Sequence, residues 1–193
     1  MTIEEIIEKA LSEDIGSGDH TSLSTIPPSA RGKARLIVKE DGVLSGMEIA
    51  AVVFSKVDPE IVFSPILTDG DVIKKGDIAF TAEGPSASIL QAERLVLNFM
   101  QRMSGIATST ARYTKELAGL ECKVLDTRKT TPLLRELEKM AVRHGGGFNH
   151  RFGLYDMIMI KDNHVDFAGG IVQAIDAANH YINKRGMNLK IEI

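Results

Sequence analysis

Apolar residues near the start of the chain recur at the three- and four-residue spacing of one helix face. Ile3, Ile6, Ile7, Ala10 and Leu11 share that face, which predicts a helix over residues 2–13. Thr2 followed by Glu5 supplies a capping box at its start. Gly16, Gly18 and the Pro27-Pro28 pair mark a long loop. The rhythm then becomes alternation: Ala34, Leu36 and Val38 share one face of a half-buried strand over residues 33–40. Residues 47–57 read as a short helix ended by Asp58-Pro59, and residues 61–67 and 77–83 as strands around a turn at Asp69-Gly70-Asp71. The first 85 residues therefore mix short strands and helices as an α+β domain does.

Ser86 is placed to cap a long helix reaching residue 103, with Leu90, Leu97 and Met100 among its apolar positions. Gly105 then permits a break before a second helical stretch through residue 117. Further on, residues 123–127 read as a short strand and Pro132 as the opening of a helix. Residues 157–160, Met-Ile-Met-Ile, suit a strand covered on both faces. Residues 171–185 form a helix stopped by Gly186, and residues 189–193 begin another strand. Strand starts at 123, 157 and 189 lie 34 and 32 residues apart, the spacing of strand–helix units with parallel strands in a β/α barrel or doubly wound sheet. The last strand meets the end of the chain, and so few β/α units do not close a barrel, so the expectation is a fragment of a longer protein.

Composition narrows the class. Of 193 residues, 44% are apolar and 25% charged, as in ordinary globular proteins. No apolar run approaches the roughly 20 residues needed to cross a bilayer, so no membrane partner is expected. The N-terminal stretch is acidic and amphipathic, unlike a secretory signal. The single cysteine, Cys122, forms no internal disulfide, and the expected compartment is the cytoplasm. A net charge of −3 argues against a nucleic-acid binder. Between Asp126 and His164, however, seven Lys/Arg face five Asp/Glu, with three histidines and a run of three glycines. That local excess suits a small anionic ligand.

In parallel β/α architectures ligands sit at the C-terminal ends of the strands. The first such end carries Asp126-Thr127-Arg128-Lys129-Thr130, the second Lys161-Asp162-Asn163-His164. Between them lie Arg143-His144-Gly145-Gly146-Gly147 and Asn149-His150-Arg151. Taken singly, Arg128-Lys129 is a solvated loop pair, the triple glycine a flexible turn, His150 a loop histidine and Arg94 a surface residue of the long helix. Successive strand ends that deliver cations to one rim read differently, because Arg forks and Lys point charges fit carboxylate and phosphate oxygens. The histidines lack zinc-site spacing, so no metal cluster is expected within the chain.

Five ordered motifs then resemble the quinolinate phosphoribosyltransferase family. Residues 11–21, Leu-Ser-Glu-Asp-Ile-Gly-Ser-Gly-Asp-His-Thr, look like its N-terminal signature, with His20 where an aliphatic residue is expected. Residues 92–108 are similar to its central helix, and residues 126–130, 145–151 and 160–164 to its substrate-site motifs in order and spacing. The resemblance implies an α/β fold: an N-terminal α/β sandwich domain over residues 1–104, then the first, incomplete part of an open-faced β/α barrel over residues 105–193. It implies a decarboxylating pentosyltransferase of NAD biosynthesis. Quinolinate and phosphoribosyl pyrophosphate would give nicotinate mononucleotide, carbon dioxide and pyrophosphate, with magnesium.

Carried over by motif, Arg94, Thr127, Arg128, Lys129, His150, Arg151 and Lys161 would bind substrate, with Lys129, His150 and Lys161 catalytic. Arg94 would reach a neighbouring subunit, so a homodimer or larger homo-oligomer is implied. The acidic magnesium and ribose ligands are expected past Ile193; Glu192 is the first acid of that strand, with no role assigned. The chain alone is therefore expected to be inactive. Three alternatives stand beside this reading. One is a molybdenum-transport-associated relative sharing the fold but not the substrate. Another is a biotinyl- or lipoyl-like carrier, suggested by residues 69–80, although Lys74-Lys75 lacks the usual modification tip. A fragment that keeps only assembly contacts is a third.

Overall fold

The computed structural model describes residues 1–193. The chain divides into two compact units: residues 1–126 with 130–149, and residues 127–129 with 150–193. The boundary expected at 104/105 falls inside a continuous helix.

In the first unit α1 (Ile3–Ile15) carries the expected capping box: the Thr2 hydroxyl accepts from Glu5 N at 3.2 Å, and Glu5 accepts from Thr2 N at 2.8 Å. The loop after it holds a short helix the sequence reading lacked, α2 (His20–Thr25), whose cap Asp19 accepts from Ser22 N at 3.0 Å. The elements β1 (Arg31–Ile37), β2 (Gly42–Val43), α3 (Met47–Val57), β3 (Val62–Pro65), β4 (Val72–Ile73) and β5 (Ile78–Pro85) follow. An antiparallel sheet in the order β1-β5-β3 turns Ala34 and Leu36 toward the core. The turn at residues 69–71 does not make a simple hairpin of β3 and β5. Instead β4 intervenes and pairs with β2. Asp58 ends α3 and accepts from the Ser88 hydroxyl at 2.6 Å and Glu60 N at 2.9 Å; these two bonds hold its carboxyl below the ordinary value.

The central helix α4 (Ser86–Glu116) runs 31 residues without the break expected at Gly105. Ala92, Val96, Met100, Met103, Ala107 and Thr110 are buried along one stripe, so the core on one side continues past the glycine and holds the helix together. Ser86 does not cap it; its N–H donates to Ala30 O at 2.9 Å. A hydrophobic core joins α1, α3, α4 and the sheet, with Phe54, Phe63 and Phe80 clustered at ring-centroid distances of 4.9–5.7 Å, Phe54 stacked on Phe63 and edge-on to Phe80. The expected strand at residues 123–127 reduces to a single parallel bridge, Leu125 with Phe148. The helix expected from Pro132 begins later, as α5 (Arg135–His144), because Leu133 takes φ +70° and turns the chain first.

The second unit holds β6 (Ile158–Met159), α6 (Asp162–Ala168), α7 (Ile171–Arg185) and β7 (Ile191–Glu192). β6 and β7 pair in parallel with α6 and α7 between them, the expected β/α crossover. α7 matches its expected bounds, and Gly186 closes it at φ +62°. The strand expected from Met-Ile-Met-Ile is half-buried at Ile158 and Met159, and only Ile160 is fully buried. No helix is long and apolar enough to cross a membrane.

Two glycine substitutions test this packing. A Cβ at Gly145 would lie 2.3 Å from Ala107 O, whereas one at Gly105 meets nothing within 4 Å. Gly145→Ala is expected to lose about 1–3 kcal/mol of stability through overpacking, and Gly105→Ala to gain about 0.5–1 kcal/mol by stiffening an intact helix. Urea unfolding of both variants checks the signs.

Candidate active site

Two chain positions in the first unit lead directly into the candidate residues. Asp126 precedes Thr127, and Asn149 precedes His150. A parallel bridge aligns them: Phe148 N donates to Val124 O at 2.9 Å and Asp126 N to Phe148 O at 3.1 Å. The Lys139 ammonium, on α5, forms an ion pair with the Asp126 carboxylate; the two side chains are 2% and 7% exposed. Asn149 Nδ2 donates to the same carboxylate and to Lys139 O, the latter at 2.8 Å, while Arg143 donates to Asn149 Oδ1. A buried charge stays charged only when it is paired and hydrogen-bonded, and both conditions hold here.

α5 is itself tied to α4. Arg102 donates through Nε to Glu138 Oε1 at 2.8 Å and through Nη2 to Glu138 and Thr131, and Thr131 N donates to Glu138 Oε2 at 3.2 Å. Gly145 gives the close approach at the other end of α5. Beside it Ser45, fully buried, bonds His144 Nδ1 at 2.7 Å.

The second unit collects six of the seven candidates: Thr127, Arg128, Lys129, His150, Arg151 and Lys161. Residues 127–129 belong to it although their neighbours on both sides in sequence belong to the first unit. The Thr127 hydroxyl accepts from Lys129 N at 3.0 Å, a local turn that shapes this segment. Arg151 is buried, and its Nη1 lies 3.4 Å from Met157 O, just before β6. Lys161 is exposed and stands at the end of β6, where its N–H donates to His164 Nδ1 at 3.0 Å. His150 Nε2 lies 2.7 Å from Glu192 Oε2 on β7, with side-chain exposures of 12% and 48%. The intervening loop is held by Asp156, which accepts from Phe152 N at 2.6 Å and Gly153 N at 2.8 Å. His150, Arg151 and Lys161 are thus bound to the β6–β7 pair or its flanks, and residues 127–129 pack in the same unit.

Arg94 is not part of this group; it is an exposed residue of α4 in the first unit. There it lines a groove of about 670 Å³ with Leu97, Gln101 and Arg112. Sequence reading gave no role to Lys139, Glu138 or Arg102. Lys139 and Glu138 are buried beside Leu137 and Met140, and buried charges must be paired, but the sequence pattern does not show that burial.

Comparison with known proteins points one way. The family model for the N-terminal domain of quinolinate phosphoribosyl transferase matches residues 19–104, and that for its C-terminal domain matches residues 106–193. The chain is 44% identical over 189 residues to a tobacco protein, "Quinolinate phosphoribosyltransferase [decarboxylating] 1b", covering 97% of this chain and 53% of that protein. It is 43% identical over 187 residues to the "Probable nicotinate-nucleotide pyrophosphorylase [carboxylating]" of Bacillus subtilis, covering 95% of this chain and 64% of that protein. The crystal structure of NadC from Streptococcus pyogenes superposes with a TM-score of 0.92 at 41% identity, over 99% of this chain and 67% of that one. The chain spans about half the length of the tobacco protein.

Removing one partner of the buried pair leaves a carboxylate without its ammonium. Lys139→Met is expected to cost about 3–5 kcal/mol of stability, and a paired Asp126→Leu change to restore most of it. Chemical denaturation of the single and double variants measures both.

Proposed function

The chain belongs to the quinolinate phosphoribosyl transferase family, and on that premise we propose that it forms part of an enzyme joining quinolinate to a phosphoribosyl group in NAD biosynthesis. The observation that carries the reading is that Thr127, Arg128, Lys129, His150, Arg151 and Lys161 belong to one compact unit, with residues 127–129 and 150–151 following the parallel Leu125–Phe148 bridge and Lys161 following β6. Quinolinate is a dianion and phosphoribosyl pyrophosphate a polyanion. A rim of fixed cations suits both and stabilises charge as it develops on departing pyrophosphate.

In this reading the Arg128 and Arg151 forks hold the quinolinate carboxylates. Thr127 adds a hydrogen bond beside Arg128. Lys129, Lys161 and His150 are the catalytic group that orients the pyridine nitrogen against ribose C1 and balances charge. The nitrogen attacks C1, pyrophosphate leaves with the bonding electrons, and the ring then loses its 2-carboxylate as carbon dioxide, the electron pair left on ring C2 taking up a proton. Arg94 serves the site of a neighbouring copy in a homodimer or larger homo-oligomer, which its exposed place on α4 permits. The functional division at residue 104/105 is likewise a proposal, supported by where the two family models meet. The cytoplasm is the proposed compartment, in keeping with a lone, exposed cysteine, Cys122.

Magnesium would accompany the pyrophosphate substrate and screen its charge. The chain has no cluster of three or more His, Cys, Asp or Glu that could hold a metal, and the Glu192 carboxylate is bonded to His150. These residues do not themselves build a magnesium site, and no step above depends on one. Neither the molybdenum-transport nor the carrier alternative gains support: the relatives are named quinolinate phosphoribosyltransferase or nicotinate-nucleotide pyrophosphorylase, and Lys74 of the carrier-like segment is ion-paired to Asp41 at 3.0 Å.

Calorimetry tests the proposal. Quinolinate is expected to bind about tenfold or more tighter than nicotinate, which lacks the second carboxylate, and Lys161→Ala to weaken quinolinate by about tenfold, the scale of one charge-assisted hydrogen bond. Equal affinity for the two acids, or no effect at Lys161, contradicts it.

A further inference from the structure

Glu192 stands out among the candidate cations because its charge is of the wrong sign for an anion site. A carboxylate there opposes a dianion by simple repulsion. Its geometry explains what it does instead. β7 fixes its backbone: Ile160 N donates to Glu192 O at 2.7 Å, and Met159 pairs with Glu192 in the parallel register. From that fixed point the side chain reaches His150 Nε2 at 2.7 Å. The His150 side chain is only 12% exposed, so the imidazole is enclosed where it meets the carboxylate.

We propose that Glu192 is a positioning residue that holds the His150 ring in one orientation and as the Nε2–H tautomer. A carboxylate can only accept a hydrogen bond, so the ring nitrogen facing it carries the hydrogen. Nδ1 then has a fixed place in the unit that holds Arg151 and Lys161. The strand register that sets Glu192 also sets Lys161, one residue past Ile160, so one pair of strands places both the histidine and a lysine. The bearing on substrate rests on the proposed function; the tautomer does not.

Two variants separate positioning from charge. Glu192→Gln removes the charge and keeps an acceptor oxygen at the same reach; Glu192→Ala removes both. Nitrogen-15 NMR of the histidine ring, with His150 assigned by its loss in His150→Ala, reads the tautomer without any ligand. The expected result is an Nε2–H signature in the parent and in Glu192→Gln, and a mixed or Nδ1–H signature in Glu192→Ala. In calorimetry with quinolinate, Glu192→Gln is expected to bind at least as tightly as the parent and Glu192→Ala about tenfold more weakly. In the His150→Ala background the Glu192→Ala loss is expected to shrink below about twofold, since its effect travels through the ring. An unchanged tautomer in Glu192→Ala overturns the inference, as does a loss that persists undiminished without His150. A parent that binds no quinolinate would overturn the functional proposal, while the ring signature would still decide the role of Glu192.

Discussion

The buried pair of Asp126 and Lys139 is the interaction on which the candidate site depends. Both side chains are almost wholly enclosed, and the same carboxylate also takes the Asn149 amide. Buried ion pairs contribute little net stability compared with apolar packing, because desolvation offsets most of their attraction. What this one supplies is placement. It joins α5, the residue before Thr127 and the residue before His150, three stretches separated in sequence by the turn at Leu133 and the run of three glycines. Around it Lys139, Arg102 and Arg143 are bonded to Asp126, Glu138 and Asn149.

Much of this was legible in the sequence, and for identifiable reasons. α1, α3 and α7 carry their own caps or stops, so local chemistry specifies their ends: the Thr2–Glu5 box, Asp58-Pro59 and Gly186. The parallel β6–β7 crossover follows from spacing alone. The misreadings share a different cause. Gly105 looks like a break because its local cost is visible, while the continuous buried stripe of α4 that overrides it is tertiary. Pro132 looks like a helix start because the reversed backbone of Leu133 leaves no mark in the pattern. The strand expected near residue 125 is a single bridge among the residues described here, since only Phe148 pairs with it.

The candidate residues were found by residue type and by resemblance, but the supporting residues were not. Arg151 and His150 belong to a recognisable motif. Lys139 and Glu138 belong to an amphipathic helix, where a charge reads as solvated until burial is known. Glu192 is harder still, since an acid on a short strand signals nothing about a histidine 42 residues earlier. Chemistry-bearing side chains announce themselves by type, whereas the groups that orient them are defined only by the fold.

If basic side chains from separate strand ends form one pocket for a pyridine dicarboxylate, a crystal of the protein soaked with quinolinate will show density for one ring whose two carboxylates lie within hydrogen-bonding distance of Arg128, Arg151 and Lys161. Density bound elsewhere, or an empty second unit at saturating quinolinate, refutes the pocket.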